Sequence, residues 1–128
     1  MAEMSNYLEN ALINATLRAT SYTSPANVYV GLFTSDPTDA GSGTEVSGGS
    51  YARQEVTFSS PSNGVTSNSA DVIFDQATAD WGIVGWIGIF DALTTGNLLY
   101  HTALNTAKTI ETDDIFKIES GQLSVTLA

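Results

Sequence analysis

The sequence predicts a mainly β fold: an antiparallel β-sandwich or barrel of about seven or eight short strands, with one N-terminal α-helix. The first observation is that apolar or alternating segments recur between residues 26 and 128, separated by turn-forming Gly, Pro, Asn and Ser. The second is that apolar residues recur at helical spacing near the N-terminus. The third is that 128 residues with 42% hydrophobic content and no internal repeat can form one core. Residues 1–128 are therefore predicted to be a single domain.

The N-terminal segment, residues 5–20, is predicted to be a helix. Asn6 is its predicted N-cap, and Glu9 follows three residues later, as in a capping box. Four apolar residues at helical spacing form one stripe: Leu8, Ala11, Leu12 and Ala15. The favoured interpretation is that this stripe packs on the chain's own domain. The alternative is that it contacts a partner or a symmetry mate, which makes Leu8 and Leu12 candidate partner contacts.

The remaining residues, 26–128, are predicted to form the β-sandwich. Residues 28–34 are apolar on both faces, which is typical of a strand covered on both sides. Residues 82–90 are apolar or Gly throughout and predict a central strand, whose glycines admit a close neighbour or a bulge. The other predicted strands share alternating or short apolar patterns. They are residues 51–58, 70–75, 98–104, 108–110, 115–118 and 123–127.

A long polar loop, residues 35–50, separates the first two predicted strands. It contains Pro37 and several glycines, and loops of this length are often binding segments or partly mobile. Its oxygen-bearing side chains are of the kind that calcium accepts, although their spacing does not match an EF-hand. A solvated loop is therefore favoured over a metal site. Asp36, Asp39 and Glu45 in this loop, with Tyr51 and Arg53 just after it, are candidate partner contacts.

The net charge of −10, with only four Lys and Arg residues, argues against two classes of partner. Nucleic-acid binding requires clustered basic residues, and anionic membrane surfaces attract the same residues. No apolar run approaches the roughly 18 residues of a membrane span. Cysteine is absent, which excludes disulfides and thiolate metal sites. The start of the chain lacks a basic region followed by an apolar one, so we expect synthesis in a cytoplasm.

A catalytic function is not predicted. His101 is the only histidine and therefore the only candidate base of a nucleophile–histidine–acid triad, but the sequence has no Gly-x-Ser-x-Gly motif. A surface or packing histidine is the favoured interpretation. Carboxylate pairs such as Asp113 and Asp114 are common in turns, where Asp bonds to nearby backbone amides. We therefore expect no enzyme activity, no cofactor and no metal.

Three aromatic residues raise the alternative of a carbohydrate-binding platform. They are Tyr51, Trp81 and Trp86. Aromatic side chains in β-rich segments are more often core residues, and Trp86 lies inside the most apolar strand. Trp81, at the entrance of that strand, is the more exposed candidate and is included among the partner contacts.

Several segments together carry a resemblance to a known group of proteins. They include 27–37 (NVYVGLFTSDP), 43–53 (GTEVSGGSYAR), 74–82 (FDQATADWG), 87–92 (IGIFDA), 96–100 (GNLLY), 108–110 (KTI), 120–121 (SG) and 123–127 (LSVTL). In order and spacing, the chain resembles small virion proteins of tailed bacteriophages, some of them tail-fibre-like and others capsid cement proteins. The resemblance implies a virion structural protein without catalytic residues.

Within this class, the first expectation is a capsid decoration (cement) protein on the capsid surface of the virion. Its partners would be the phage major capsid protein or other virion proteins. Cement proteins often form trimers, so the resemblance also implies a homo-oligomer, with a trimer as the specific expectation. The alternative is a tail- or fibre-associated module for assembly or host glycan recognition.

Overall fold

The computed structural model describes residues 2–127, and within them it contains one helix and nine strands. The mainly β fold with an N-terminal helix is confirmed. The elements are β1 (Glu3–Met4), α1 (Asn6–Leu17), β2 (Val28–Phe33), β3 (Gln54–Val56), β4 (Val65–Ser67), β5 (Val72–Ile73), β6 (Gly82–Phe90), β7 (Leu98–Ile110), β8 (Lys117–Ile118) and β9 (Ser124–Thr126).

The strands form one five-stranded antiparallel sheet and two small ribbons. The large sheet has the order β1-β7-β6-β2-β3, and the ribbons pair β4 with β9 and β5 with β8. Strand β6 is central, as its apolar sequence predicts, and pairs with β2 and β7. The sheet is open, with β1 and β3 at its edges, so the barrel alternative is not realised within residues 2–127.

The main core lies between one face of the large sheet and the two ribbons. Strands β2 and β6 contribute Val30, Leu32, Val84, Ile87 and Ile89 to it. The ribbons and their flanking residues contribute Val72, Phe74, Phe116, Ile118, Leu123 and Val125 to the same cluster. A second cluster contains Phe33, Phe90 and Leu98, with Trp86 packed against it. Strand β2 contributes to both clusters, which agrees with its prediction as a strand covered on both sides.

A local irregularity in the pairing of β6 with β7 lies at Gly85, one of the glycines at which the sequence predicted a close neighbour or a bulge, and its extra residues, 104–107, belong to β7. Val84 pairs with Lys108 and Trp86 pairs with Ala103, so the register shifts between them. Val84 and Ile87 both enter the main core although they are three residues apart. Strict alternation would place them on opposite faces, and the irregularity removes this conflict. Residues 98–104 and 108–110, which were predicted as separate strands, both belong to the single strand β7, and the irregularity lies where the two segments meet.

Gly88 illustrates the predicted close approach along β6. A Cβ atom at Gly88 would lie 2.8 Å from Leu98 Cδ1 and 3.1 Å from atoms of both Phe33 and Phe90. Gly88 pairs with Gly31 of β2. The absence of a side chain here makes room for the second apolar cluster.

The N-cap of the helix lies one residue earlier than predicted. Ser5, not Asn6, is the N-cap: its backbone is extended and its hydroxyl oxygen accepts a hydrogen bond from Leu8 N at 3.2 Å. The Ser5 hydroxyl also donates to Leu98 O at 2.5 Å, which fixes the start of α1 on β7. The helix ends at Leu17, so the predicted range of 5–20 was too long at its C-terminal end.

Two short strands, β1 and β4, were not predicted from the sequence. They contain two and three residues, too few to show a hydrophobic period. The segment predicted as a strand over residues 51–58 contributes only Gln54–Val56 to the sheet.

The two-layer core leads to a prediction about two isoleucines of the same strand. Ile87 is 3% exposed in the main core, whereas Ile83 is 60% exposed. Ile87→Ala should lower the free energy of unfolding by about 2–5 kcal/mol because it leaves a cavity. Ile83→Ala, the matched control, should cost at most about 1 kcal/mol. Urea denaturation measures both, and equal losses would contradict the assignment of the core face.

Candidate functional site

The 35–50 loop folds back on strand β2. Its backbone pairs with the end of that strand, because Thr34 N donates to Thr44 O and Val46 N donates to Leu32 O, both at 2.9 Å. Pro37 and Val46 are buried. Residues 44–46 of the loop therefore extend the pairing of the sheet beside the end of β2.

Arg53 holds this loop through a buried ion pair. Its Nε and Nη2 atoms donate to the two carboxylate oxygens of Glu45, each at 2.9 Å. Its Nη1 atom donates to the backbone oxygens of Ala92 at 2.9 Å and Thr95 at 2.8 Å. The guanidinium carbon lies 3.5 Å from the centroid of the Phe90 ring. All three guanidinium nitrogens are thus satisfied, and one side chain joins the loop, β3 and the turn after β6.

Tyr51 extends the same network. Its hydroxyl donates to Glu45 Oε2 at 2.6 Å and accepts a hydrogen bond from Leu32 N at 2.9 Å. Burial, followed by the hydrogen bond and the charge of Glu45, raises the pKa of Tyr51 well above its ordinary value. Tyr51 is consequently a neutral donor at physiological pH.

The three aromatic residues do not form the carbohydrate-binding platform that was considered as an alternative. Trp81 is buried, its indole nitrogen donates to Gly49 O at 2.9 Å, and its ring meets Tyr51 edge-on at 5.4 Å between centroids. Trp86 belongs to the separate cluster around Phe33 and Phe90. The three aromatic side chains therefore do not share an exposed surface.

The other acidic residues of the loop converge on His101 of β7. His101 is 6% exposed, and its Nε2 lies 2.8 Å from Asp39 Oδ1 and 3.8 Å from Glu3 Oε2. Its Nδ1 lies 3.9 Å from Asp36 Oδ1. This arrangement, the His101 cluster, brings together strand β1, the loop and strand β7.

The His101 cluster could not be read from the sequence, because His101 and Asp39 are 62 positions apart. No motif links them, and β1, which carries Glu3, is too short to predict. The possible calcium site within the loop is not assembled, because Glu45 points to Arg53 while Asp36 and Asp39 face His101.

The predicted partner contacts thus have different surroundings. Leu8, Arg53 and Trp81 are buried in the chain itself, and Leu12, Glu45 and Tyr51 are half-buried. Asp36 is exposed and Asp39 is half-buried beside His101. On α1, Leu8 is the buried member of the predicted stripe, in agreement with packing on the chain's own domain. The exposed large apolar residues of the helix are instead Tyr7, Ile13 and Leu17.

A surface groove of about 960 Å³ runs beside the outer part of β7. Most of its lining comes from residues within the ranges 102–110 and 114–126, and it includes both lysines, Lys108 and Lys117, and two acidic residues, Asp114 and Glu119. Ile115 in its lining is 57% exposed. The groove is therefore a mixed apolar and polar surface with two of the chain's four basic residues.

Comparison with known proteins gives one family. A family model described as Podophage GP4 fiber I protein gp80 matches residues 3–126, which is nearly the entire chain. No curated protein matches the chain. Within the described residues, no helix is both long enough and apolar enough to cross a membrane.

The buried ion pair predicts a large effect of Arg53. Arg53→Ala should lower the free energy of unfolding by about 3–5 kcal/mol, because it leaves the Glu45 carboxylate without its partner in a largely buried position. Arg53→Lys should recover only part of this loss, since an ammonium group lacks the planar fork. Chemical denaturation measures both variants. A loss for Arg53→Ala as small as that of a surface substitution would contradict the assigned role.

The raised pKa of Tyr51 predicts a loss of stability in alkali. The unfolded chain releases this phenolic proton near pH 10.0, whereas the folded chain retains it, so the unfolded state binds fewer protons above that pH. The stabilising contribution is complete below pH 10.0 and declines as the pH rises further. Urea denaturation at about pH 9 and about pH 11 should show this decline, and Tyr51→Phe should reduce it. Parallel declines in both proteins would refute the role given to Tyr51.

Proposed function

Because the chain belongs to the Podophage GP4 fiber I protein gp80 family, a family of phage virion structural proteins, we propose that it is a fibre-associated module of the virion. The match over residues 3–126 is the single observation that carries this proposal. The family description names a fibre protein, so it supports the tail- or fibre-associated alternative better than the capsid cement role expected first. The capsid surface is accordingly not the proposed location.

We propose that the module acts by adhesion and assembly, without catalysis. The Glu45–Tyr51–Arg53 network suits an assembly role, because its internal hydrogen bonds hold the surrounding surface in one shape. These residues fix the shape of a loop and a turn. The proposed partners are other virion proteins.

Host glycan recognition receives no specific support from the aromatic residues. Trp81 is buried, and the hydroxyl of Tyr51 is bonded within the chain. The exposed surface available for assembly contacts includes Tyr7, Ile13 and Leu17 on α1, which are 42–79% exposed. The homo-trimer expected from cement proteins stays a prediction.

Immunogold electron microscopy of the purified parent virions tests the fibre assignment. Antibody against this chain should label fibres or the tail region, because a fibre component is incorporated there. Fractions of separated tails and heads, quantified by mass spectrometry, should contain the chain with the tails.

Antibody against the major capsid protein is the matched control and should label heads only. Uniform labelling of the capsid surface, with the chain recovered in head fractions, would overturn the fibre assignment in favour of decoration. Absence of the chain from virions would overturn both.

A further inference from the structure

The His101 cluster has the composition and geometry of a cation site. The ligand atoms of Glu3, Asp39 and His101 all lie within 4.8 Å of one another, although the residues come from β1, the 35–50 loop and β7. We propose that these three residues bind one divalent transition-metal ion, with zinc as the favoured metal. This inference stands on the geometry of the cluster and is independent of the fibre assignment.

The first argument concerns the two nitrogens of the buried imidazole. Nε2 faces Asp39 and Glu3, at 2.8 and 3.8 Å, while Nδ1 faces Asp36 at 3.9 Å. When the proton of a neutral imidazole is on Nδ1, the lone pair of Nε2 is available to a cation. At His101 this nitrogen lies beside two carboxylates that could bind the same ion.

A metal ion between Nε2 and these two carboxylates would take all three groups as ligands. The lone pair of Nε2 would bind the cation, and Nδ1–H would be on the side of Asp36. At 3.9 Å the Asp36 carboxylate is beyond hydrogen-bond distance of Nδ1, so it would contribute its negative charge to the site without binding the ion.

The second argument is the local charge. Three carboxylates surround His101, and among residues 2–127 neither Lys nor Arg forms an ion pair with any of them. Arg53 forms its ion pair with Glu45, and Lys117 Nζ lies 3.9 Å from Asp71 Oδ2. A bound cation would add beside these carboxylates a positive charge that no Lys or Arg of the described residues supplies.

The donor set favours zinc over calcium. Zinc accepts imidazole nitrogen and carboxylate oxygen at about 2.0–2.2 Å in a tetrahedral arrangement, and a water can fill a fourth position. Calcium requires more ligands and prefers them all to be oxygen. The carboxylates can adjust, because the side chains of Glu3 and Asp39 are 69% and 45% exposed. His101, being buried, supplies the fixed point.

An ion at this position would join three segments that already approach one another. Asn6 N donates to Asp39 O at 2.9 Å, and Ser5 N donates to Leu99 O at 2.9 Å. Zinc would reinforce these bonds and hold both β1 and the start of α1 against the sheet. Binding should therefore raise the melting temperature.

Isothermal titration of the full, chelator-stripped chain with zinc chloride at neutral pH tests the proposal. We expect one equivalent to bind, together with a rise in melting temperature, and calcium to bind far more weakly. Glu3→Gln and His101→Gln should each weaken zinc binding by more than about tenfold, since each removes a ligand. Asp71→Asn, a carboxylate beside Lys117 and away from the cluster, is the matched control and should bind as the unaltered chain does.

The exposed position of Glu3 keeps the test decisive if His101→Gln fails to fold. Circular dichroism should show a native fold for Glu3→Gln. Absence of stoichiometric zinc binding by the unaltered chain would overturn the proposal. Equal zinc affinity in the unaltered chain and in Glu3→Gln would also overturn it, because the ion would then bind elsewhere.

Discussion

The buried ion pair between Arg53 and Glu45 is the interaction on which the arrangement of this surface depends. A guanidinium group in a largely desolvated position is stable only if its donors are bonded, and here Glu45, Ala92 and Thr95 accept them. The partners come from different parts of the chain. Satisfying one cation therefore fixes the loop, the edge strand β3 and the turn after β6 with respect to one another.

The same pair fixes the His101 cluster indirectly. The 35–50 loop is attached at Glu45 to Arg53 and at Asp39 to His101, and Pro37, two residues before Asp39, is buried. Both attachments use side chains of the five-stranded sheet or its immediate flank. A loop held in this way loses less conformational entropy when its carboxylates bind a ligand, because they are already close to the binding geometry.

The sequence predicted those features that depend on local pattern. The continuous apolar run 82–90 became the central strand β6. Of its glycines, Gly88 allows the close approach of the second apolar cluster, and Gly85 lies opposite the extra residues of β7. The barrel alternative arose because strand spacing alone does not distinguish an open sheet from a closed one. The N-cap is Ser5 and not the predicted Asn6. The Ser5 hydroxyl is also bonded to Leu98 O, a contact 93 positions away that the sequence does not reveal. The sequence analysis named Glu45, Tyr51 and Arg53 as candidate partner contacts. They instead bond to one another, and this pairing depends on tertiary contacts that their spacing in the sequence does not predict.

The distribution of the few cations restricts how such an acidic module meets its neighbours. Arg53 forms an ion pair with Glu45. The other basic side chains of the sequence are Arg18, Lys108 and Lys117. Two of these three line the groove beside β7, together with exposed Ile115. Most of the surface of a chain with a net charge of −10 repels acidic partners and attracts basic ones. The two lysines of the groove are matched by two acidic residues of its lining, Asp114 and Glu119, so this lining carries no net excess of negative charge. An apolar segment of a neighbouring virion protein could therefore pack there without bringing an unpaired charge against an acidic surface.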